Sequence, residues 1–170
     1  MLLTLAGSAK GGTPMQRAIF GYLPEVKSFY LDTISIEGKG QYIYMLNGSR
    51  VVVELEDDFS GSIYVPNADA GSKLIVRGEA ITEISQDEQQ TLTTLDVSGL
   101  TALTNLYCDY NQLIETVRFN ATKQSPANAV AGLITNADST TGTVYLNSSD
   151  TYYSTVANAA TAKGWTIEAL

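Results

Sequence analysis

The side chains in this sequence able to do chemistry are few, and each has a plain structural competitor. Glu54, Glu56, Asp57 and Asp58 form an acidic run whose oxygens suit a hard cation such as calcium. The run lacks the ligand spacing and the turn glycine of known calcium loops, so a solvated acidic face is favoured and no metal is expected. Cys108 is the single thiol; with no basic neighbour to hold a thiolate, and standing two residues after Leu106 in an alternating apolar pair, it is expected to be buried and inert. There is no histidine, which removes the commonest general base and transition-metal ligand, and with them Ser-His-Asp, Cys-His and most zinc chemistry. Glycoside cleavage needs only two carboxyl groups about 5 to 10 Å apart in a cleft, a distance that a sequence does not display. A cryptic glycan hydrolase is therefore kept as a remote alternative, and the chain is expected to be no enzyme and to need no cofactor.

The charge balance bears on partners. With 18 acidic and 10 basic residues the formal net charge is −8, which disfavours nucleic acid and anionic membranes at long range. No apolar run is long enough to span a bilayer, so no membrane insertion is expected. The apolar start Met1-Leu-Leu-Thr-Leu-Ala lacks a basic region and ends too early for a signal-peptide core. If Met1 is the native start, an outside role is reached by another route, such as a virion. One cysteine forms no internal disulfide and leaves the redox compartment open.

The elements that must position these groups announce themselves by a period. Apolar pairs of alternating residues fall at Ile34/Ile36, Ile43/Met45, Val53/Leu55, Ile63/Val65, Leu74/Val76, Leu95/Val97, Leu106/Cys108 and Val117/Phe119. Counting Ile84, their first members lie nine to eleven residues apart, so two short extended segments on opposite walls would make one coil of about 21 residues. Asn47-Gly48 signals a tight hairpin turn. After Val117 the rhythm changes: a short helix begins near Pro126, residues 142–147 read as a strand, and a second helix capped by Ser149 or Asp150 runs to about Lys163. Gly164 sits where a C-cap belongs, and Trp165 opens a last strand while sealing the end of the core. The expected organisation is an N-terminal cap or attachment segment over 1–30, a β-rich repeat solenoid over 31–125 and an αβ C-terminal cap over 126–170, all within one continuous domain.

Leu103, Leu106, Cys108, Asn111 and Leu113 fit L-x-x-L-x-C-x-x-N-x-L at every fixed position, and residues 92–113 as a whole resemble the 21-residue repeats of leucine-rich repeat proteins from Bacteroidetes and their phages. The segment from 142, with the later Ala-Ala-Thr-Ala-Lys-Gly-Trp-Thr-Ile, resembles the closing unit of such arrays. The resemblance covers about residues 74–170; Ile84 to Gln90 is a degenerate neighbour, and residues 1 to about 60 match no known pattern. The implied fold class is mostly β with an α/β lean: a short leucine-rich-repeat-like solenoid with an αβ C-terminal capping unit. In that signature the leucines and Cys108 point inward and Asn111 turns in to bond backbone, which leaves Thr104, Asn105, Tyr107, Asp109 and Tyr110 outside. Tyr64, Tyr42 and Tyr44 on earlier coils and Tyr145 on a later one would extend the same wall.

Tyrosine gives large contact area at low entropy cost and keeps a hydroxyl for bonding, so Tyr64, Asn105, Tyr107, Asp109, Tyr110 and Tyr145 form the candidate binding set. The competing reading is cross-strand support of the sheet without a ligand. The function expected is a non-enzymatic structural or interaction protein, a phage virion component or surface-display module making protein–protein or host-surface contact. The alternative is a carbohydrate- or protein-binding module of a bacterial cell surface. Partners would be a protein subunit or a cell-surface glycan, with homo- or hetero-oligomers expected and the virion as the setting.

Overall fold

The computed structural model describes residues 14–86 and 91–170. The proposed attachment segment therefore lies in part outside the described residues, as do Asp87 to Gln90 of the degenerate repeat. In chain order the elements are β1 (Gln16–Tyr22), β2 (Phe29–Leu46), β3 (Ser49–Leu55), β4 (Ser60–Val65), β5 (Leu74–Ser85), β6 (Leu92–Asp96), β7 (Asn105–Tyr107), β8 (Thr116–Arg118), α1 (Gln124–Asn136), β9 (Thr143–Leu146), α2 (Tyr153–Lys163) and β10 (Thr166–Ala169).

Ten strands form one mixed sheet, ordered β10-β9-β8-β6-β1-β5-β2-β3, with β4 added beside β2 and β7 beside β5. The solenoid expectation is corrected here. Among the described residues the sheet is not closed, two helices lie outside it, and no clear series of repeated coils is formed. The period in the sequence has a different origin in the first half: Ile34 and Ile43 belong to one strand of 18 residues, and Leu74 and Ile84 to one of 12. Two apolar pairs nine or ten residues apart are two halves of one bent strand. Spacing alone does not separate that from two short strands, nor antiparallel from parallel pairing.

The bend is made where Gly40 and Gly78 face each other across β2 and β5. A Cβ on either glycine would lie 2.7 Å from an Ile36 side-chain carbon, so only glycine lets the two backbones and Ile36 meet there. The register shifts twice just before Gly40, between Ser35 and Ile36 and between Glu37 and Gly40, as bulged corners do. Past it, the first half of β2 and the second half of β5 form another wall: β7 pairs in parallel with β5, Ile84 opposite Leu106, and β4 pairs with β2 over Phe29 to Ser35. The first wall continues as β1, antiparallel to both β5 and β6, and then as the parallel series β6, β8, β9, β10. In that series Leu95, Val117, Val144 and Ile167 are successive partners. The C-terminal strands β9 and β10 are parallel, joined by α2, and belong to the common sheet rather than to a separate closing unit.

One core lies between the walls. Phe20, Leu74, Leu95, Val117 and Val144 enter from the first, Ile34, Ile84, Leu106 and Cys108 from the second, and Val130, Leu133, Ile134, Val156 and Ala160 from the helices. Helix α1 starts two residues before Pro126, the proline that suggested it, and α2 is capped by Gly164 in the left-handed region, φ +84°. The second helix begins later than the capping residues suggested, because Asp150 is occupied elsewhere: its Oδ2 accepts the Ala121 N–H at 2.7 Å. Trp165 is buried and donates from Nε1 to the Ser139 carbonyl at 2.7 Å. The Asn47-Gly48 turn has positive φ at both residues, 51° and 72°, the mirror-image turn whose twist suits a hairpin. Asp69 holds it from outside, its two carboxylate oxygens accepting the Asn47 and Gly48 N–H groups at 2.6 and 2.9 Å.

Leu106 is 3% exposed, so Leu106→Ala is expected to cost about 2 to 5 kcal/mol, read as a lower denaturation midpoint with an unchanged slope. Tyr22 is a second probe. It stacks on Phe29 at 4.7 Å, its hydroxyl has no hydrogen-bond partner among the described residues, and burial pushes its ionisation well above the ordinary range. A raised folded-state value means the contribution is complete below the unfolded value of about 10 and is lost as pH climbs beyond it. Tyr22→Phe should therefore lessen the fall in melting temperature above about pH 10 and leave stability at neutral pH unchanged or slightly raised.

Candidate functional site

The second wall presents an outer face built from alternate residues of β4, β2, β5 and β7. Phe29, Leu31, Ile63, Val65, Ile84 and Leu106 turn into the core, so the residues between them must turn out. Tyr30 and Tyr64 are direct cross-strand partners with rings 6.4 Å apart in an edge-on arrangement, 41% and 60% exposed. Two strands away Tyr107 lies opposite Ser85 and is 49% exposed. Asn105 stands opposite Glu83 and donates from Nδ2 to its carboxylate at 3.0 Å. Thr104 adds an anchor at the start of β7, its hydroxyl donating to the Thr82 carbonyl at 2.9 Å.

Tyr110 and Asp109 occupy the turn after β7. Tyr110 has φ +60° and is 63% exposed, the most exposed of the large apolar side chains among the described residues. Asp109 is exposed beside α1, where a Cβ built on Gly132 would lie 3.7 Å from its Oδ1. The turn is held from below by Asn111, 1% exposed, whose Nδ2 donates to the carbonyls of Gln86 at 2.6 Å and Cys108 at 2.8 Å. This side chain does what the repeat signature assigns it. Cys108 is fully buried, with its thiol 3.7 Å from the Ala129 carbonyl.

The single tyrosine column expected from the sequence is divided by the structure. Tyr145 lies on β9 in the first wall, separated from β7 by β8, β6, β1 and β5 in the strand order. There the Arg118 guanidinium covers its ring at 3.8 Å, in a row that runs Glu168, Tyr145, Arg118, Asp96 across four strands. Tyr42 and Tyr44 are not on the outer face either. They stack at 6.2 Å and pack against the core, while Ile43, buried outside the core cluster at 3% exposed, and the exposed Met45 lie on the other face, the reverse of the phase expected from the apolar pairs. Burial, and secondly the neighbouring Tyr44, raises the ionisation of Tyr42 above its ordinary range. Tyr30, Glu83 and Arg118 were missed. The alternation Phe29-Tyr30-Leu31 carried the signal for the first; the other two follow from pairing partners that spacing does not reveal.

The acidic run divides as well. Asp58 accepts the Gly38 N–H at 2.7 Å and closes a turn, while Glu54 lies on β3 opposite Gln41. Among the described residues no group of three or more His, Cys, Asp or Glu side chains is placed to hold a metal. Three shallow depressions each contain one carboxylate: Glu168 beside Leu146 and Ile167, Asp69 beside Asn47 and Asn67, and Glu79 beside Pro14 and Thr101. None of the three brings together the carboxyl pair that glycoside cleavage uses.

Removing the Asn111 amide would orphan two buried carbonyls at once. Asn111→Ala is expected to cost about 2 to 3 kcal/mol and to loosen the 108–111 turn, seen as faster amide exchange at Tyr110. No protein family, no curated protein and no solved structure matches the chain.

Proposed function

We propose that the protein is a non-enzymatic interaction protein that makes protein–protein or host-surface contact through the outer face of β4, β2, β5 and β7, as a phage virion component or surface-display module. The observation that carries this reading is the group Tyr30, Tyr64, Tyr107 and Tyr110, between 41% and 63% exposed on a rigid sheet and its adjoining turn. Solvent-exposed tyrosines fixed by backbone pairing lose little freedom when a partner covers them, and their rings and hydroxyls serve both apolar and polar contact. The hydrogen-bonded Asn105–Glu83 pair beside them supplies a preset polar contact at the same face. The virion setting rests on the sequence resemblance, and the acidic charge argues for a protein or neutral glycan rather than a polyanion.

A sheet face bearing aromatic rings also suits stacking on sugar rings, which keeps a carbohydrate-binding module of a bacterial surface protein as the second reading. Two measurements separate them. Immunogold labelling should place the protein on intact particles, and recovery in the soluble cell fraction alone would overturn the virion setting. Tyr64→Ala with Tyr107→Ala should weaken retention on the particle, or binding to immobilised surface glycans, by about 1 to 4 kcal/mol while the far-ultraviolet spectrum is unchanged. Retention and glycan binding that both survive the double change would reject this face as the contact surface.

A further inference from the structure

The hairpin β2–β3 carries apolar side chains on both faces. On the face of the first wall turned away from the core cluster, Ile19, Ile75, Ile43 and Val52 are successive cross-strand partners; Ile43 is buried by its neighbours at 3% exposed, Ile19 and Ile75 are half-buried, and Val52 at the edge is exposed. The row ends at β3, which pairs with β2 alone among the described residues. Because the closing pair of the two-residue turn is Leu46 with Ser49, the backbone groups of Ser49, Val51, Val53 and Leu55 point toward β2. Those of Arg50, Val52 and Glu54 point away, into solvent. Sheets normally blunt such an edge with a lysine, a proline or a bulge at its centre. Here the centre is Val51-Val52-Val53, and Val52 is 38% exposed.

We infer that the β3 edge binds a second copy of this chain, two β3 strands joining antiparallel about a two-fold axis through Val52. The sequence around Val52 is self-complementary under that operation. Val52 meets Val52, Val51 meets Val53, and Arg50 meets Glu54 twice over, so unlike charges face each other at both ends. The three residues whose backbone groups are unpaired are the ones this register brings together, giving mutual bonds between the two Val52 residues and between each Arg50 and Glu54. Both side chains are exposed, and they lie on the face of Val52, opposite Met45 and Gln41. The acidic turn at Asp57 and Asp58 falls beside the Asn47-Gly48 turn of the other copy, whose nearest carboxylate, Asp69, is already bonded to the two turn N–H groups. The outer apolar row then runs unbroken from one Ile19 to the other. A two-fold contact uses up both edges and closes, where a one-sided contact would propagate. This surface is separate from the tyrosine face and stands without it.

Sedimentation equilibrium of the full chain over micromolar to near-millimolar concentration tests the inference. The unaltered protein should be a dimer of 18.2 kDa protomers, and Val52→Lys should be a folded monomer. Arg50→Glu and Glu54→Arg each oppose like charges twice and should raise the dimer dissociation constant about tenfold or more, while the double change R50E with E54R should restore it. Circular dichroism and the melting curve confirm folding of each variant. A monomer throughout the concentration range, open-ended oligomers, a dimer indifferent to Val52→Lys, or a folded double swap that stays monomeric would each overturn the inference.

Discussion

The structure depends on two strands turning a corner together. β2 and β5 pass from one wall to the other with Gly40 and Gly78 opposed and Ile36 filling the space where two side chains would stand. Every other strand is placed relative to this pair: β3 and β1 on the halves before the corner of β5, β4 and β7 on the halves beyond it. A larger residue at either glycine displaces Ile36, 2% exposed, and with it the angle between the walls that enclose the core. The tyrosine face and the outer isoleucine row point in different directions because of that angle.

Much of the C-terminal half was legible because local chemistry and burial agree there. The alanine-rich stretch ending at Gly164, the buried Trp165, the inward Asn111 and Cys108, and the parallel partners Val144 and Ile167 follow from capping, pattern and spacing. The first half was misread for a specific reason. In the sequence from Gln41 to Leu55 both alternating sets are apolar, Tyr42, Tyr44 and Val53 on one side and Ile43, Met45 and Val52 on the other. Alternation then has no unique phase, and nothing local shows which side meets the core. The continuity of β2 and β5 was hidden likewise, since a bulged corner leaves the same apolar spacing as a loop between two strands.

Several polar residues that shape the fold have no signature in spacing because their partners are distant. Asp69 grips the Asn47-Gly48 turn from 22 and 21 residues away, and Asp150 accepts the Ala121 N–H from 29 away. Each carboxylate meets backbone donors that would otherwise lack a partner, which fixes a loop against an element rather than preparing a reactive group. The candidate contact face differs in kind. Its tyrosines are held by the strands beneath them and leave their rings and hydroxyls largely to solvent.

The position of β1 sets the order in which the chain can assemble. Its seven residues are among the first of the described chain to leave the ribosome, yet they lie between β5 and β6, with Ile19 paired to both Ile75 and Asp96. The first wall is therefore not continuous until synthesis has passed Asp96, and the half-made sheet waits with β1 unpaired while β2, β3 and β4 can already form their local antiparallel pairs. During this interval the apolar residues Ile19 and Phe20 lack the strands that cover them in the finished sheet, which leaves β1 open to mispairing.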